Sequence, residues 1–321
     1  MAGLENIKNI KNIKNISEAI SWTGELFESH PDLFYGHGSD NPWDEALYLV
    51  LDQAGEDLEL FFSEDKTAQE EILNKNLSPE IINQINKLID LRVNQKIPLP
   101  YLINKAYFAG LEFYIDQRAI IPRSPIAELI ETGFNLSLEG AEDFDFCKVS
   151  EVLDLCCGSG CIGIAAAVYY DFLNIDLLDI DSKALELAEI NIKKYDLDHR
   201  VKIINSDLFS NFSNLNNPKK YDLILCNPPY VNQQDFESMP QEFSHEPELA
   251  LISGQDGLDL TRKILSQAGN YLSDQGVLIL EVGNSAEALE QAYPEIDFLW
   301  FEFERGGVGV CAVTKKMLDR L

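Results

Sequence analysis

Glu151-Val152-Leu153-Asp154-Leu155-Cys156-Cys157-Gly158-Ser159-Gly160-Cys161-Ile162-Gly163 decides the fold. Five residues read as a short apolar strand, and the Gly/Ala-rich stretch from 160 to 170 reads as a helix. Between them lies a turn in which glycine lets the backbone bend sharply and approach a ligand with no Cβ in the way. Downstream, strand and helix patterns alternate. Residues 174–180 read as a second strand, and Leu185, Ala188 and Ile192 mark a helix. Val201–Ile204, Asp222–Cys226 and Val277–Glu281 read as further strands. That alternation predicts a mostly parallel, doubly wound α/β sheet. Two more strands, Phe298–Phe303 and Val308–Val313 around Gly306 and Gly307, predict a closing β-hairpin, which is unusual for dinucleotide enzymes.

Upstream the pattern is helical. Residues 6–16 repeat Asn-Ile-Lys and read as a low-complexity extension. Ser17 is the expected cap of a helix running to about Ser29. Asn41-Pro42 and Ser78-Pro79 each pair an N-cap with a first-turn proline. Ile81, Ile82, Ile85, Leu88 and Ile89 fall at helical spacing and predict one buried face. Aromatic and branched residues over Ala106–Tyr114 and Asp116–Pro122 predict a hairpin bridging two domains. At 321 residues, the chain suits two domains.

Composition narrows the partners. The net charge is −29, from 54 acidic and 25 basic residues, which argues against a broad phosphate-binding surface. A basic protein partner fits better, and acidity that serves only to keep the protein in solution fits equally. No apolar run approaches the roughly 20 residues of a membrane helix, and no secretory signal is evident, so a cytoplasmic protein is expected. The six cysteines do not suggest a disulfide scaffold, and Cys156, Cys157 and Cys161 lack the spacing of a zinc set. No metal is expected.

Three acids follow strand ends. Asp154 stands just before the turn. Asp179 closes the second strand, where a carboxylate can accept hydrogen bonds from both hydroxyls of a ribose. Asp207 follows the third strand, within reach of an adenine. Together with Gly158 and Gly160 they point to an adenosine-containing cofactor. Gly158, Gly160 and Gly163 also match the spacing of a dinucleotide fingerprint. S-adenosylmethionine has no phosphate, however, and an acid near its ammonium or sulfonium is favourable.

Asn227-Pro228-Pro229-Tyr230 separates these readings. It follows a strand directly, at the sheet end where α/β folds bind ligands. Two prolines fix the backbone and remove two N–H donors. Outward-facing carbonyl oxygen remains. The Asn227 side-chain oxygen and the Pro228 carbonyl can accept the two hydrogens of an NH₂ group, with Tyr230 packed against its plane. This suits transfer of a methyl group to an amide or to an exocyclic amine of a base. Flipping a base would call for a groove rich in Lys and Arg, which this composition does not supply. A protein that binds the nucleoside without catalysis is the remaining alternative, and the intact Asn227 and prolines argue against it.

Residues Asp154–Gly163, Asp179 and Asn227–Tyr230 resemble the class I, Rossmann-like amino-methyltransferases. With the helical N-terminal part and hairpin, the chain resembles the HemK family of protein N5-glutamine methyltransferases over nearly its whole length. The resemblance implies a seven-stranded sheet and S-adenosyl-L-methionine held by Asp154, Cys156, Gly158, Gly160, Asp179, Asp207 and Asn227. It implies catalysis by Asn227, Pro228, Pro229 and Tyr230. Arg123 and His245 are further candidates for substrate contact, alongside Asn227, Pro228 and Tyr230. The implied organisation is an extension (1–16), a helical substrate-recognition domain (17–105), a hairpin linker (106–122) and a methyltransferase domain (123–321).

The family has a release-factor branch and a ribosomal-protein branch. Tyr35–Ala46, Pro122–Ile126 and His245–Leu249 resemble the latter. That implies ribosomal protein L-three or an assembly intermediate as partner, with no membrane and no sequence-specific nucleic-acid binding. One departure stands out: Cys156 occupies the place of the family's first loop glycine, where a Cβ would narrow the methionine pocket.

Overall fold

The computed structural model describes residues 13–134, 144–212 and 218–321. Most of the Asn-Ile-Lys repeat lies outside them. Contacts divide the chain into two units: a helical unit of residues up to 105 together with 240–245, and a sheet unit of 106–239 with 246–321. No helix of the described residues is long and apolar enough to cross a membrane.

The helical unit is built on α1 (Ile16–Glu28), α2 (Pro42–Ala54), the short α3 (Leu58–Phe61) and α4 (Lys66–Leu73), then α5 (Pro79–Gln95) and α6 (Leu99–Ile103). Asn41 caps α2 by accepting from the N–H groups of Trp43 and Asp44, and Ser78 caps α5, each followed by proline as expected. Ser17 does not cap α1. Asn15 does, in an extended conformation with its side chain accepting the Glu18 N–H, so Ser17 falls inside the first turn. On α5, Ile85 and Ile89 are buried, while Ile81, Ile82 and Leu88 pack at the edge of the same core.

That buried stripe continues to Arg92, 1% exposed. Its guanidinium pairs with Glu45 on α2 and, at 2.9 Å, with Glu242. It also donates to the Phe34 carbonyl at 2.7 Å. A buried charge is tolerable only when so paired.

In the sheet unit, β1 (Lys105–Phe108) and β2 (Leu111–Tyr114) pair with each other. The turn residues Ala109 and Gly110 both have positive φ, 48° and 70°, the backbone of a tight two-residue hairpin turn. The chain therefore reverses inside 105–114. The strand expected over 116–122 is absent. Those residues form an irregular segment held by Arg118 on Asp116 and by the Ile121 N–H on Glu246. Asn191 anchors the hairpin by bonding both the N–H and the carbonyl of Tyr114.

After α7 (Ile126–Glu131) come β3 (Glu151–Leu155), α8 (Cys161–Tyr169), β4 (Asn174–Asp179), α9 (Ser182–Lys194), β5 (Val201–Asn205) and β6 (Tyr221–Cys226). Next are α10 (Gln233–Ser238), α11 (Asp259–Ala268), β7 (Leu272–Glu281), α12 (Ala286–Ala292), β8 (Leu299–Trp300), β9 (Val310–Thr314) and α13 (Lys315–Leu318).

The seven strands lie in the order β5-β4-β3-β6-β7-β9-β8. The first five are parallel; β9 runs antiparallel to both β7 and β8. The closing pair thus forms as expected, with its first strand trimmed to two residues. Alternation assigns the faces. Val152, Leu223, Leu225, Val277 and Ile279 point into one core with α8 and α9. Leu153, Leu155, Ile224, Leu278 and Leu280 point into the other with α11 and α13. Both faces are covered, as a parallel sheet requires.

Candidate active site

The strand order reverses between β3 and β6, and Leu155 is in register with Cys226. The two chains therefore leave the sheet side by side, one into Cys156-Cys157-Gly158, the other into Asn227-Pro228-Pro229-Tyr230. Leu155 is also in register with Leu178, and Asp179 with Asn205. One edge thus gathers the glycine turn, Asp179, the segment leading to Asp207, and Asn227. This reversal point is where doubly wound sheets bind ligands.

Asp154 lies beneath the turn, 0% exposed. Its Oδ2 accepts the Gly163 N–H at 2.8 Å, while its Oδ1 has no hydrogen-bond partner. Burial pushes this carboxyl up to about 7, against the Gly163 bond that holds it down. Gly163 serves packing: a Cβ there would stand 2.4 Å from Leu177 and 3.0 Å from Asp154. Asp179 Oδ2 accepts the Gly158 N–H and its Oδ1 the Asp181 N–H, both at 2.9 Å. Burial raises its pKa, while these N–H groups oppose the rise. Asp207 is exposed.

Cys156 takes φ +63°, a left-handed backbone that disfavours a Cβ. The thiol is half-buried and packs against the core that contains Cys226. Burial, then the neighbouring Cys156, raises the Cys226 pKa. Among the described residues, no group of three or more His, Cys, Asp or Glu is placed to hold a metal.

Asn227 is half-buried. Its side chain and the Pro228 carbonyl bond to none of the described residues. Tyr230, by contrast, is tied down. Its hydroxyl donates to Glu281 Oε1 at 3.1 Å, and its carbonyl accepts the Ser285 hydroxyl at 3.1 Å. A cavity of about 580 Å³ opens beside it, lined by Arg123, Ser124, Tyr230, Glu281 and Arg305 among others.

Arg123 lines that cavity, but its guanidinium grips Glu246 with both Nη atoms, at 2.5 and 2.6 Å. His245 belongs to the helical unit, where its Nε2 lies 2.8 Å from the Gln95 carbonyl. The sequence reading overlooked Glu281 and Ser124. Glu281 closes an apolar strand just as Asp179 does, and the strand-end signal that singled out Asp179 would have found it.

A reversed parallel sheet, an antiparallel strand inserted beside β7, and an Asn-Pro-Pro-Tyr turn next to the glycine turn define a class I, Rossmann-like amino-methyltransferase. Residues 141–254 match the family described as methyltransferase small domain. The ribosomal protein uL3 glutamine methyltransferase of Francisella tularensis subsp. tularensis is 44% identical over 88% of this chain and 85% of its own. That of Bordetella pertussis is 39% identical over 88% and 90%. The chain belongs to the family of ribosomal protein uL3 glutamine methyltransferases. Among solved structures, the hMettl16 catalytic domain aligns with 74% of this chain and 81% of that chain at 15% identity and TM-score 0.48, a likeness too slight to argue from.

Proposed function

We propose that the chain transfers the methyl group of S-adenosylmethionine to the side-chain amide nitrogen of a glutamine in ribosomal protein uL3, in the cytoplasm. The observation that carries this reading is the pair of acceptors, Asn227 Oδ1 and the Pro228 carbonyl, which meet no described residue and leave β6 beside the glycine turn.

The residues around the turn fit the cofactor. A fully buried carboxyl with one bare oxygen suits an ammonium group, which would keep Asp154 ionised at neutral pH. Asp179 has lone pairs left for two ribose hydroxyls after taking two backbone N–H groups. Asp207 follows β5, where an adenine would lie. When bound, S-adenosylmethionine supplies an electrophilic methyl group.

An amide nitrogen is a weak nucleophile because its lone pair is shared with its carbonyl. Asn227 and Pro228 address this by geometry. Accepting both N–H bonds, they turn the nitrogen toward the methyl and hold it near 3–3.5 Å, which supplies the proximity term. Held by the residues around the turn, S-adenosylmethionine would supply the methyl to the nitrogen lone pair that Asn227 and Pro228 aim, and one of the two protons they accept would pass to water. Positive charge on nitrogen peaks during this step, and the two carbonyl dipoles stabilise it. Tyr230 packs against the amide plane. No histidine or carboxylate is needed as a base.

The acceptor follows from membership of the uL3 family and from a net charge of −29, which suits a basic ribosomal protein. The test is transfer of labelled methyl to purified uL3, with a release factor and duplex DNA as parallel acceptors. Label on uL3 alone is expected. Label on the release factor alone would keep the chemistry and overturn the acceptor. Label on DNA would overturn both.

A further inference from the structure

Glu281 takes no part in the steps above, yet it lines the cavity as a buried carboxylate. It ends a strand whose residues from Val277 onward are otherwise apolar, and it is 3% exposed. Its Oε2 accepts the Ser124 hydroxyl at 2.5 Å and its Oε1 the Tyr230 hydroxyl at 3.1 Å. Ser124 also accepts the N–H of Ile126 at the start of α7. One carboxylate thus joins β7, the 122–125 segment and the Asn-Pro-Pro-Tyr turn.

Arg123 acts on the Glu281 charge from nearby without pairing with it. Its guanidinium grips Glu246, and Glu281 forms no ion pair with a described residue. The surroundings of Tyr230 are tailored to one pose. A Cβ on Gly283 would stand 2.6 Å from its ring, and one on Gly257 2.2 Å from its carbonyl oxygen. A buried carboxylate without a cation is costly, and two hydroxyl donors on it are an arrangement that an apolar residue could not supply.

We infer that Glu281 is a positioning residue for methyl transfer: by holding the hydroxyls of Tyr230 and Ser124 together, it fixes the Tyr230 ring against the acceptor amide and keeps the Asn227–Pro228 carbonyl pair aimed. It acts on turnover and leaves cofactor binding alone. The inference rests on the reading of Asn227–Tyr230 given above.

The ionised carboxylate accepts from both hydroxyls. Protonated, it turns one oxygen into a donor, and one hydroxyl must let go. Burial pushes Glu281 up to about 7, opposed by Ser124, Tyr230 and Arg123. Of the other groups facing it, Arg123 stays cationic, and Tyr230 and Cys226 stay neutral because burial raises both. Turnover therefore rises with pH through about 7 as Glu281 ionises.

The test compares Glu281→Leu and Glu281→Gln in the full chain. Four readouts are taken: kcat, KM for uL3, cofactor Kd by calorimetry, and hydrogen exchange of the peptide spanning 227–232. Glu281→Leu is expected to lower kcat on the order of 100-fold, the scale of an ångström's misplacement, with cofactor Kd unchanged and exchange of 227–232 faster. Glu281→Gln keeps one acceptor oxygen, as the protonated carboxyl does, so it is expected to hold kcat near the wild type's low-pH level, above that of the Leu variant, and to lose the pH-dependent limb. Wild-type kcat in the Leu variant, a parallel loss of cofactor affinity, or a wild-type pH limb in the Gln variant each overturns the inference. Should wild-type enzyme fail to methylate uL3, the reading of the acceptor falls, and exchange then decides on Glu281. Exchange of 227–232 that is faster in Leu than in Gln supports it; no change in either overturns it. If Glu281→Leu does not fold, Tyr230→Phe cuts the same tether and is expected to lose the same pH limb. Retention of that limb overturns the inference.

Discussion

The two units bury carboxylates in opposite ways. In the helical unit, Glu45 and Glu242 close on one guanidinium, and Arg92 spends its remaining donor on the Phe34 carbonyl. In the sheet unit, Asp154, Asp179 and Glu281 are sunk at the strand ends and none forms an ion pair with a described residue. Burial raises all three, Asp154 and Glu281 to about 7. A charge neutralised from within is scaffold. A carboxylate left without a cation is stabilised by whatever cation or hydroxyl arrives. The donor proposed here brings an ammonium, a sulfonium and two ribose hydroxyls, which match Asp154 and Asp179, while Glu281 already holds two hydroxyls of the protein itself.

The sharpest way to break this contrast is to remove Arg92. Arg92→Met leaves Glu45 and Glu242 buried without their partner, and loss of one member of a buried pair typically costs about 3–5 kcal/mol. Urea unfolding of the helical unit's transition should show that loss, while the folded protein keeps its cofactor Kd. A loss below about 1 kcal/mol would mean that the cluster is not scaffold.

Asn227→Ala is the counterpart in the sheet unit. Asn227 has no partner among the described residues, so its removal should cost little stability. It should lower kcat about 10²–10³-fold, the usual effect of deleting one preorganised dipole. Cofactor affinity should hold; calorimetry showing it collapse would reassign Asn227 to cofactor binding. Asp179→Ala should do the reverse, weakening the cofactor by about 1–3 kcal/mol and leaving the turn around Asn227 intact. An unchanged Kd would remove Asp179 from the ribose role.

How much of this was legible beforehand follows the range of each interaction. The parallel core, the strand-end acids and the Asn-Pro-Pro-Tyr turn are local patterns, and they were readable. Arg92 was not, because its partners stand 47 and 150 residues away and a lone Arg on an apolar helix stripe carries no sign of them. Arg123 reads equally as a substrate or cofactor contact and as a structural ion pair, and its Glu246 partner, distant in sequence, could not be named beforehand. The strand expected over 116–122 was misread because branched residues there resemble a strand, while the tight turn at Ala109-Gly110 had already completed the hairpin. His37 is 5% exposed, between the rings of Phe34 and Phe243, and the distant Phe243 is likewise invisible in the local sequence.

The smallest expected effect tests Cys156. The sequence marks it as a departure from the family's glycine, and the structure adds φ +63°. A residue with a Cβ in that region costs about 1–2 kcal/mol. Cys156→Gly relieves this strain, but it makes the unfolded chain looser by about 0.5–1 kcal/mol and removes the thiol contact with Cys226. The terms nearly cancel, so the urea midpoint should rise by no more than the equivalent of about 1 kcal/mol at constant m. Cofactor affinity should hold or tighten, because a Cβ leaves the loop that faces the ligand. A clear loss of stability instead would show that the Cys156–Cys226 contact, rather than backbone preference, sets the shape of the loop. The site would then hold one neutral pair of its own beside its unpaired acids.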